Sequence, residues 1–202
     1  MINPAINFKE EKYIVIENFI TPDFANFLNE YVKMSAQLSA SCVEKYGYKV
    51  FNKQPNLLGL WSDPQADGCY SKYGDPAFDT LLKIKTPVLA KILGLKLLPT
   101  YSYHRLYTKG AELLKHTDRP SCQISSTMTL GYNSDYNWPM CVGDKKIELK
   151  PGDCIIYRGC EVEHWREKFT GTNHAQVFFH WNEDDGKGEK YDGREHLGLP
   201  NG

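Results

Sequence analysis

Apolar positions near the start of the chain change their spacing at residue 21. Tyr13 to Phe19 is rich in β-branched and apolar side chains, which predicts a strand. Thr21, Pro22 and Asp23 follow, and these residue types favour the N-cap and first turn of a helix. Beyond them, apolar side chains fall at helical spacing: Phe24, Phe27, Leu28, Tyr31 and Val32. The spacing predicts an amphipathic helix packed on a flat surface.

A second capping signal, Asp75-Pro76, predicts another helix. Its apolar face includes Phe78 and Leu82. Thr86-Pro87 must kink this helix or restart it, because proline removes one helical hydrogen bond. Residues 40–74, between the two helices, are irregular and punctuated by glycine and proline. Such a loop-rich stretch is typical of segments that cover a site.

From Leu97 to Thr108 the chain is predicted to be extended. Alternation then places four side chains on one face: Tyr101, Tyr103, Arg105 and Tyr107. This row is polar for a core and apolar for a surface, so it predicts the wall of a ligand pocket. The alternative is a cross-strand aromatic ladder with a solvated arginine. His104 points to the opposite face, away from Tyr103, and we therefore exclude it as a metal ligand.

Short strands separated by turns dominate the rest of the chain. We predict them at residues 122–132, 145–149, 153–158 and 174–181. Helices come first and strands follow, with no helical pattern between the strands. The fold class is therefore α+β, mainly β, and the strands form an antiparallel sandwich or barrel.

Length and composition limit the possible classes of protein. A chain of 202 residues with 41% hydrophobic residues fits one globular domain. The net charge of -1 gives no general attraction to nucleic acid or to an anionic membrane. No apolar run reaches the length of a membrane span, and the first residues lack the order of a signal peptide. We expect a soluble, cytoplasmic protein.

The last twenty residues differ from the rest in composition. Residues 183–202 contain six acidic and three basic residues, several glycines and few apolar side chains. This composition predicts a flexible, loosely held polar tail. Residues 1–182 are then the single domain.

His116 and Asp118 are two positions apart, so an extended backbone would place both side chains on one face. His164 could join them from another strand and complete a set of two imidazoles and one carboxylate. Such a set holds Fe(II) on one side and leaves the other side open. The alternative is a surface pair on one strand, with His164 in an ordinary hydrogen bond. The spacing by itself does not decide between these two interpretations.

The order of elements adds to this motif. A strand and a capped helix are followed by a Tyr-x-x-Gly turn (107–110), His116-x-Asp118, a Pro-Gly-Asp turn (151–153), a strand ending at Tyr157-Arg158-Gly159, and His164 before a closing strand. From about residue 13 to 182 this order resembles the Fe(II)- and 2-oxoglutarate-dependent oxygenases, especially their prolyl-4-hydroxylase-like branch. The resemblance implies a double-stranded β-helix (jelly roll) with the N-terminal helices packed on one sheet.

The same resemblance implies the ligands and the cofactors. His116, Asp118 and His164 would hold Fe(II), with 2-oxoglutarate as co-substrate, dioxygen as oxidant and ascorbate as a supporting reductant. Succinate and CO2 would be the co-products of hydroxylating a C–H bond. By resemblance, Tyr107 helps to hold 2-oxoglutarate. Tyr103 lies on the same face as Tyr107, and Thr129 shares with Thr127 a face of the next strand that could point inward and supply another hydroxyl.

The far carboxylate of 2-oxoglutarate needs a cation, because a buried, unpaired carboxylate is very costly. Members of the family usually place an arginine or lysine on the closing strand, where this chain has Asn173, His174 and Ala175. We predict that Arg166 replaces this cation, with His174 assisting. The alternatives are a surface ion pair of Arg166 with Glu163 or Glu167, and a strand histidine that is satisfied locally.

These features leave several functions open. The first is hydroxylation of a peptidyl residue, with proline favoured. The same chemistry could also act on a small molecule. The near-neutral charge disfavours a nucleic-acid substrate. The second is a jelly-roll metal-binding or sensing module without turnover, which the missing cation on the closing strand favours. Hydrolysis at zinc is a weaker third, because no general base is evident near the open site.

Overall fold

The computed structural model describes residues 4–47, 57–61, 63, 65–186 and 188–200. Within these described residues, three helices precede or interrupt the first strands: α1 (Pro4–Glu11), α2 (Pro22–Tyr46) and α3 (Pro76–Leu93). The strands are β1 (Tyr13–Ile16), β2 (Tyr70–Tyr73), β3 (Leu97–Thr108), β4 (Leu113–His116), β5 (Ile124–Asn133), β6 (Met140–Val142), β7 (Lys145–Ile147), β8 (Cys154–Tyr157), β9 (His164–Arg166) and β10 (Asn173–Glu183). Short 3-10 turns occur at Pro120–Cys122 and Lys190–Gly193.

The strands form two antiparallel sheets. The larger has the order β1-β8-β5-β10-β3-β2 and the smaller β4-β9-β6-β7. Side chains from both sheets share one buried cluster, which includes Leu113, Met140 and Ile155, so the sheets pack face to face. The predicted jelly roll with helices on one sheet is confirmed.

The outer face of the larger sheet carries the helices. Alternate residues of β10, Ala175 to Trp181, belong to the same core as Leu28 of α2 and Leu82 of α3. Both predicted caps are present, since the side chains of Thr21 and Asp75 accept backbone hydrogen bonds from the first turns. Helix α3 continues through Pro87, so of the two alternatives predicted there, a kink or a restart, the restart is wrong.

The buried face of α2 includes the predicted Leu28 and Val32 but not Phe24 and Phe27. Phe24 and Phe27 are 41% and 64% exposed, whereas small residues such as Ala25 and Ala36 are buried. Asn29 of this face lies close against β5, because a Cβ on Gly131 would lie 2.6 Å from its side-chain Cγ. The helix therefore comes close to the sheet at this point, and only Phe24 and Phe27 of the predicted face turn outward.

The segment after β10 also differs from its prediction. Arg194 forms a buried ion pair with Asp79 of α3, with Nη1 to Oδ2 at 3.0 Å. The backbone N–H of Gly198 donates to the same carboxylate oxygen, and Arg194 also donates to the carbonyl of Thr100. Composition predicted a loosely held tail, but these contacts anchor its middle on the helices and β3.

None of the helices in the described part of the chain is long and apolar enough to cross a membrane.

His104 faces the helices, as its parity predicted. Its ring packs against Phe78 and Tyr70, with centroids 4.8 and 5.9 Å away. Neither ring nitrogen has a hydrogen-bond partner among the described residues. Burial lowers the pKa of His104 to about 3, although Asp75 opposes the shift. The neutral imidazole is therefore strongly preferred in the folded state.

Substitution His104→Leu is expected to make the fold less sensitive to acid. The folded-state pKa is below that of the unfolded chain, so this histidine contributes stability above about pH 6.5 that is lost as the pH falls. As the pH is lowered from 6.5 to 4.5, the free energy of unfolding of the variant should fall by roughly 2 kcal/mol less than that of the parent. At pH 7 the variant should match or exceed the parent, because it removes a buried polar group without partners.

Urea unfolding at the two pH values measures this difference. Exposed His196, changed to leucine, controls for the loss of an imidazole as such. An unchanged pH dependence in His104→Leu would contradict the assignment of His104 as a buried neutral group.

Candidate metal centre and its cavity

Three predicted ligands meet where β4 and β9 pair. His116 lies at the end of β4 directly opposite His164 of β9. Asp118 follows just beyond β4 and is placed by its backbone N–H, which donates to the carbonyl of Gly159 at 2.8 Å. One ligand atom from each of the three side chains lies within 4.8 Å of the others. The set assembles as predicted, although Asp118 reaches it from a loop rather than from the strand.

Both imidazoles are oriented for metal binding. The Nδ1 atoms of His116 and His164 lie 2.7 and 3.0 Å from the carbonyls of Leu114 and Val162. A carbonyl only accepts, so each Nδ1 carries the proton and each Nε2 presents a lone pair. These Nε2 atoms lie 3.7 and 3.4 Å from Oδ1 of Asp118. Two nitrogens and one oxygen at these positions fit a divalent first-row transition metal.

The protonation states also suit a metal. Burial alone would raise the pKa of Asp118, but its interactions with His164 and His180 and the hydrogen bond from Ser125 outweigh burial and lower this pKa. Burial lowers the pKa of His116. The carboxylate of Asp118 and the neutral imidazole of His116, the forms that ligate metals, are thus present at neutral pH.

Gly159 is required by the position of Asp118. A Cβ at residue 159 would lie 2.4 Å from both Asp118 Oδ2 and Ser125 Oγ. The glycine in the Tyr157-Arg158-Gly159 motif therefore leaves the space that the carboxylate fills.

A cavity of about 430 Å³ opens beside the three ligands. Its walls come from the inner faces of both sheets, from the loop before β2 and from the segment after β4. Besides the ligands, its lining includes Asp63, Gln65, Tyr73, Tyr101, Tyr103, Arg105, Arg119, Cys122, Met140, Tyr157, Phe178 and His180. At its edge, Asp192 accepts hydrogen bonds from Arg119 and Tyr73. The volume suits a small molecule or a single side chain.

Arg105 is buried, so the alternative of a solvated arginine on β3 is wrong. Its guanidinium pairs with Asp63, with Nε to Oδ2 at 2.7 Å and Nη2 to Oδ1 at 3.0 Å. Tyr103 also donates to Asp63, and Tyr107 accepts from Arg105 at 2.8 Å. Sequence reasoning missed Asp63, whose only signal was its place in the predicted covering loop.

Arg166 is enclosed between the sheets and 1% exposed. Its guanidinium stacks on Trp138 at 4.6 Å, and Nη1 donates to the carbonyl of that residue. Its Nε and Nη2 have no hydrogen-bond partner among the described residues. Burial lowers the pKa of Arg166 to about 10, so it remains a cation at neutral pH.

The surface ion pair considered for Arg166 is wrong. Glu163 pairs with Lys115 and Glu167 with Lys146, both at the surface. A buried guanidinium with two free donors is costly unless an anion completes it. Arg166 therefore indicates that an anionic ligand binds in the interior.

His174 lies near this guanidinium but is a poor source of charge. It is 1% exposed, stacks on Tyr132 at 5.3 Å, and has no partner for either ring nitrogen in the described structure. Burial, and then the charge of Arg166, lower the pKa of His174 well below its usual range. The protonated form that an anchoring role would need is thus disfavoured, and a neutral imidazole could offer only one N–H. The local satisfaction considered for it is also wrong.

Thr129 is buried on β5, where its hydroxyl accepts from Gln176 at 3.4 Å. The Oε1 atom of Gln176 has no partner among the described residues. Gln176 was not predicted, although its parity on β10 matches that of His174 and could have indicated it.

No protein-family model and no curated protein sequence matches the chain. Solved structures do match. EctD from S. alaskensis with bound Fe has a TM-score of 0.65 at 18% identity, over 95% of this chain and 80% of that one. HygX from Streptomyces hygroscopicus with nickel and 2-oxoglutarate bound has a TM-score of 0.63 at 12% identity, over 92% and 88%. A Pseudomonas putida prolyl-4-hydroxylase has a TM-score of 0.60 at 15% identity, over 88% and 96%. At these identities the likeness shows a shared fold, the jelly roll of the 2-oxoglutarate oxygenases.

Proposed function

We propose that this chain is an Fe(II)- and 2-oxoglutarate-dependent dioxygenase that hydroxylates a C–H bond and releases succinate and CO2. One observation carries the proposal. A complete metal-ligand set and a buried guanidinium with two unused donors lie on the same inner face, with His164 and Arg166 two residues apart on β9. A ligand that chelates the metal at one end and carries a carboxylate at the other would bind both the metal and the guanidinium.

His116, Asp118 and His164 would hold the iron and leave part of its coordination sphere open to the cavity. Bound iron and 2-oxoglutarate supply the oxidative decarboxylation that makes C–H hydroxylation possible. The task of the protein is to orient the ligands and to exclude water from the interior between the sheets.

Arg166 would bind the far carboxylate of 2-oxoglutarate through Nε and Nη2. Tyr107 is a suitable second donor, because its hydroxyl accepts from Arg105 and keeps its own proton free. The hydroxyl of Tyr103 donates its proton to Asp63, so we assign Tyr103 to the cavity wall rather than to the binding of the 2-oxoglutarate carboxylate. His174 lies near the guanidinium, and Thr129 contacts Gln176 on the neighbouring strand.

For the substrate we propose a peptidyl residue, with proline favoured. A viral collagen prolyl hydroxylase has a similar structure, with a TM-score of 0.58 at 12% identity, as does the bacterial prolyl-4-hydroxylase. A small molecule is the second candidate, and two segments at the border of the cavity favour it. The loop at Asp63 and the segment at Asp192 are both bonded to its walls, which limits room for an extended peptide.

Succinate formation tests the activity. Purified protein is incubated with Fe(II), ascorbate, oxygen and 2-oxoglutarate, with or without a proline-rich peptide or a set of small molecules, and succinate is followed by NMR. Succinate above that of the Asp118→Ala variant is expected, and stimulation by one substrate class identifies that class. Bound iron without succinate under any of these conditions would favour the non-catalytic metal-binding module.

A further inference from the structure

We propose that Ser125 and His180 position the carboxylate of Asp118 for metal binding. This role rests on the metal centre proposed above and extends it to two residues of the larger sheet that sequence reasoning did not assign.

The three side chains form a short chain of hydrogen bonds. Ser125 Oγ lies 2.5 Å from Oδ2 of Asp118 and 3.0 Å from Nδ1 of His180. Ser125 and His180 are direct partners on the neighbouring strands β5 and β10. Both are buried, and the ring of His180 also packs on Tyr101 with centroids 4.5 Å apart. The rigid centre of the larger sheet thus holds a ligand that arrives from a loop beside the smaller one.

The direction of each hydrogen bond follows from the donors available. The hydroxyl of Ser125 has one proton, and the Asp118 carboxylate can only accept. The proton of Ser125 therefore goes to Oδ2, and Ser125 Oγ must accept from Nδ1–H of His180. This fixes the tautomer of His180 with its proton on Nδ1. Burial lowers the pKa of His180 to about 4, which agrees with a neutral ring.

The consequence for the metal concerns the second oxygen of Asp118. With Oδ2 engaged by Ser125, Oδ1 is the oxygen that faces Nε2 of His116 and of His164. The carboxylate is thereby prepared to give one oxygen to the metal rather than two, which keeps positions on the metal open. Outer partners of this kind typically change metal affinity by about 10–100-fold when they are removed.

The test uses Co(II) as the probe, because it reports both affinity and coordination. Metal-free Ser125→Ala is titrated anaerobically with Co(II) by calorimetry, and its visible spectrum is recorded. The matched control is Ser126→Ala, since Ser126 is the next residue of β5, equally buried, and accepts from the backbone of Phe179 on the opposite face. Two further variants separate the hydrogen bond of His180 from the packing of its ring. His180→Asn keeps a donor near the Nδ1 position, and His180→Phe keeps only a ring.

We expect Ser125→Ala to bind Co(II) about 10–100-fold more weakly, with an altered visible spectrum. Ser126→Ala should keep the affinity and spectrum of the parent, even if its unfolding temperature falls. His180→Phe should weaken binding by several-fold, and His180→Asn should restore most of the loss.

Three results would overturn the proposal, and they have different consequences for the metal centre. If the parent binds Co(II) but Ser125→Ala has the same affinity and spectrum, the positioning role is wrong and the metal centre stands. The positioning role is equally wrong if Ser126→Ala loses as much affinity as Ser125→Ala. If the folded parent does not bind Co(II), the metal centre and the positioning role both fail.

Discussion

Replacing Asp118 with alanine is expected to abolish iron retention and turnover. Asp118 supplies the only carboxylate of the ligand set, and its loss leaves two neutral imidazoles with no negative charge to offset the metal. Iron content after dialysis against metal-free buffer and succinate formation are the two measurements.

The control for this experiment is Cys160→Ser. The thiol of Cys160 is partly buried close to the same loop and donates to the carbonyl of Arg119, a contact that a serine hydroxyl can replace. Iron content and turnover of this variant should match those of the parent. An active, iron-replete Asp118→Ala protein would remove His116, Asp118 and His164 as the metal site.

Replacing Arg166 with methionine should separate co-substrate binding from stability. Loss of one partner of a buried charge pair costs about 2–5 kcal/mol of binding free energy, which corresponds to roughly 30-fold to several thousand-fold in the Kd for 2-oxoglutarate. The ligand-free protein should be as stable as the parent or more stable, because an apolar side chain replaces a buried guanidinium with unused donors. A purely structural arginine would show the opposite pattern, with lower stability and unchanged affinity.

Calorimetry of the Co(II)-loaded protein with 2-oxoglutarate, and thermal unfolding of the metal-free protein, measure the two effects. Arg158→Met is the control, because Arg158 is partly exposed and already pairs with Glu183 at 2.6 Å. Its affinity for 2-oxoglutarate should not change. Unchanged affinity in Arg166→Met would contradict the assignment of Arg166 as the anchor.

Much of the fold followed from local patterns, because caps and strand alternation depend on neighbouring residues. Thr21 and Asp75 begin their helices as predicted, and the alternation on β3 separated His104 from Tyr103. The exclusion of Phe24 and Phe27 from the face that α2 buries was not predictable in this way. That face depends on the distance of closest approach to β5 at Gly131, a property of the packed pair rather than of either segment.

The candidate site was predictable where its residues carry a spacing, and less so where they depend on burial. His116, Asp118 and His164 were found by their order along the chain. The choice between a surface pair and a buried anchor for Arg166 needed the structure, because exposure cannot be read from a position two residues after a ligand. Asp63 and Asp192 lie in irregular segments, where no periodicity indicates direction.

The same limit explains the tail. Its charges predicted solvation, yet Arg194 and Asp79, which are far apart in sequence, neutralise one another in a buried pair. Composition gives the number of charges in a segment but not the residues with which they pair.

A crystal structure with Fe(II) and 2-oxoglutarate, grown without oxygen and measured at the iron absorption edge, tests the central claim most directly. We predict one anomalous peak in contact with Nε2 of His116, Nε2 of His164 and Oδ1 of Asp118, with the far carboxylate of 2-oxoglutarate against Nε and Nη2 of Arg166. An iron peak elsewhere, or a co-substrate whose far carboxylate lies away from Arg166, would contradict it.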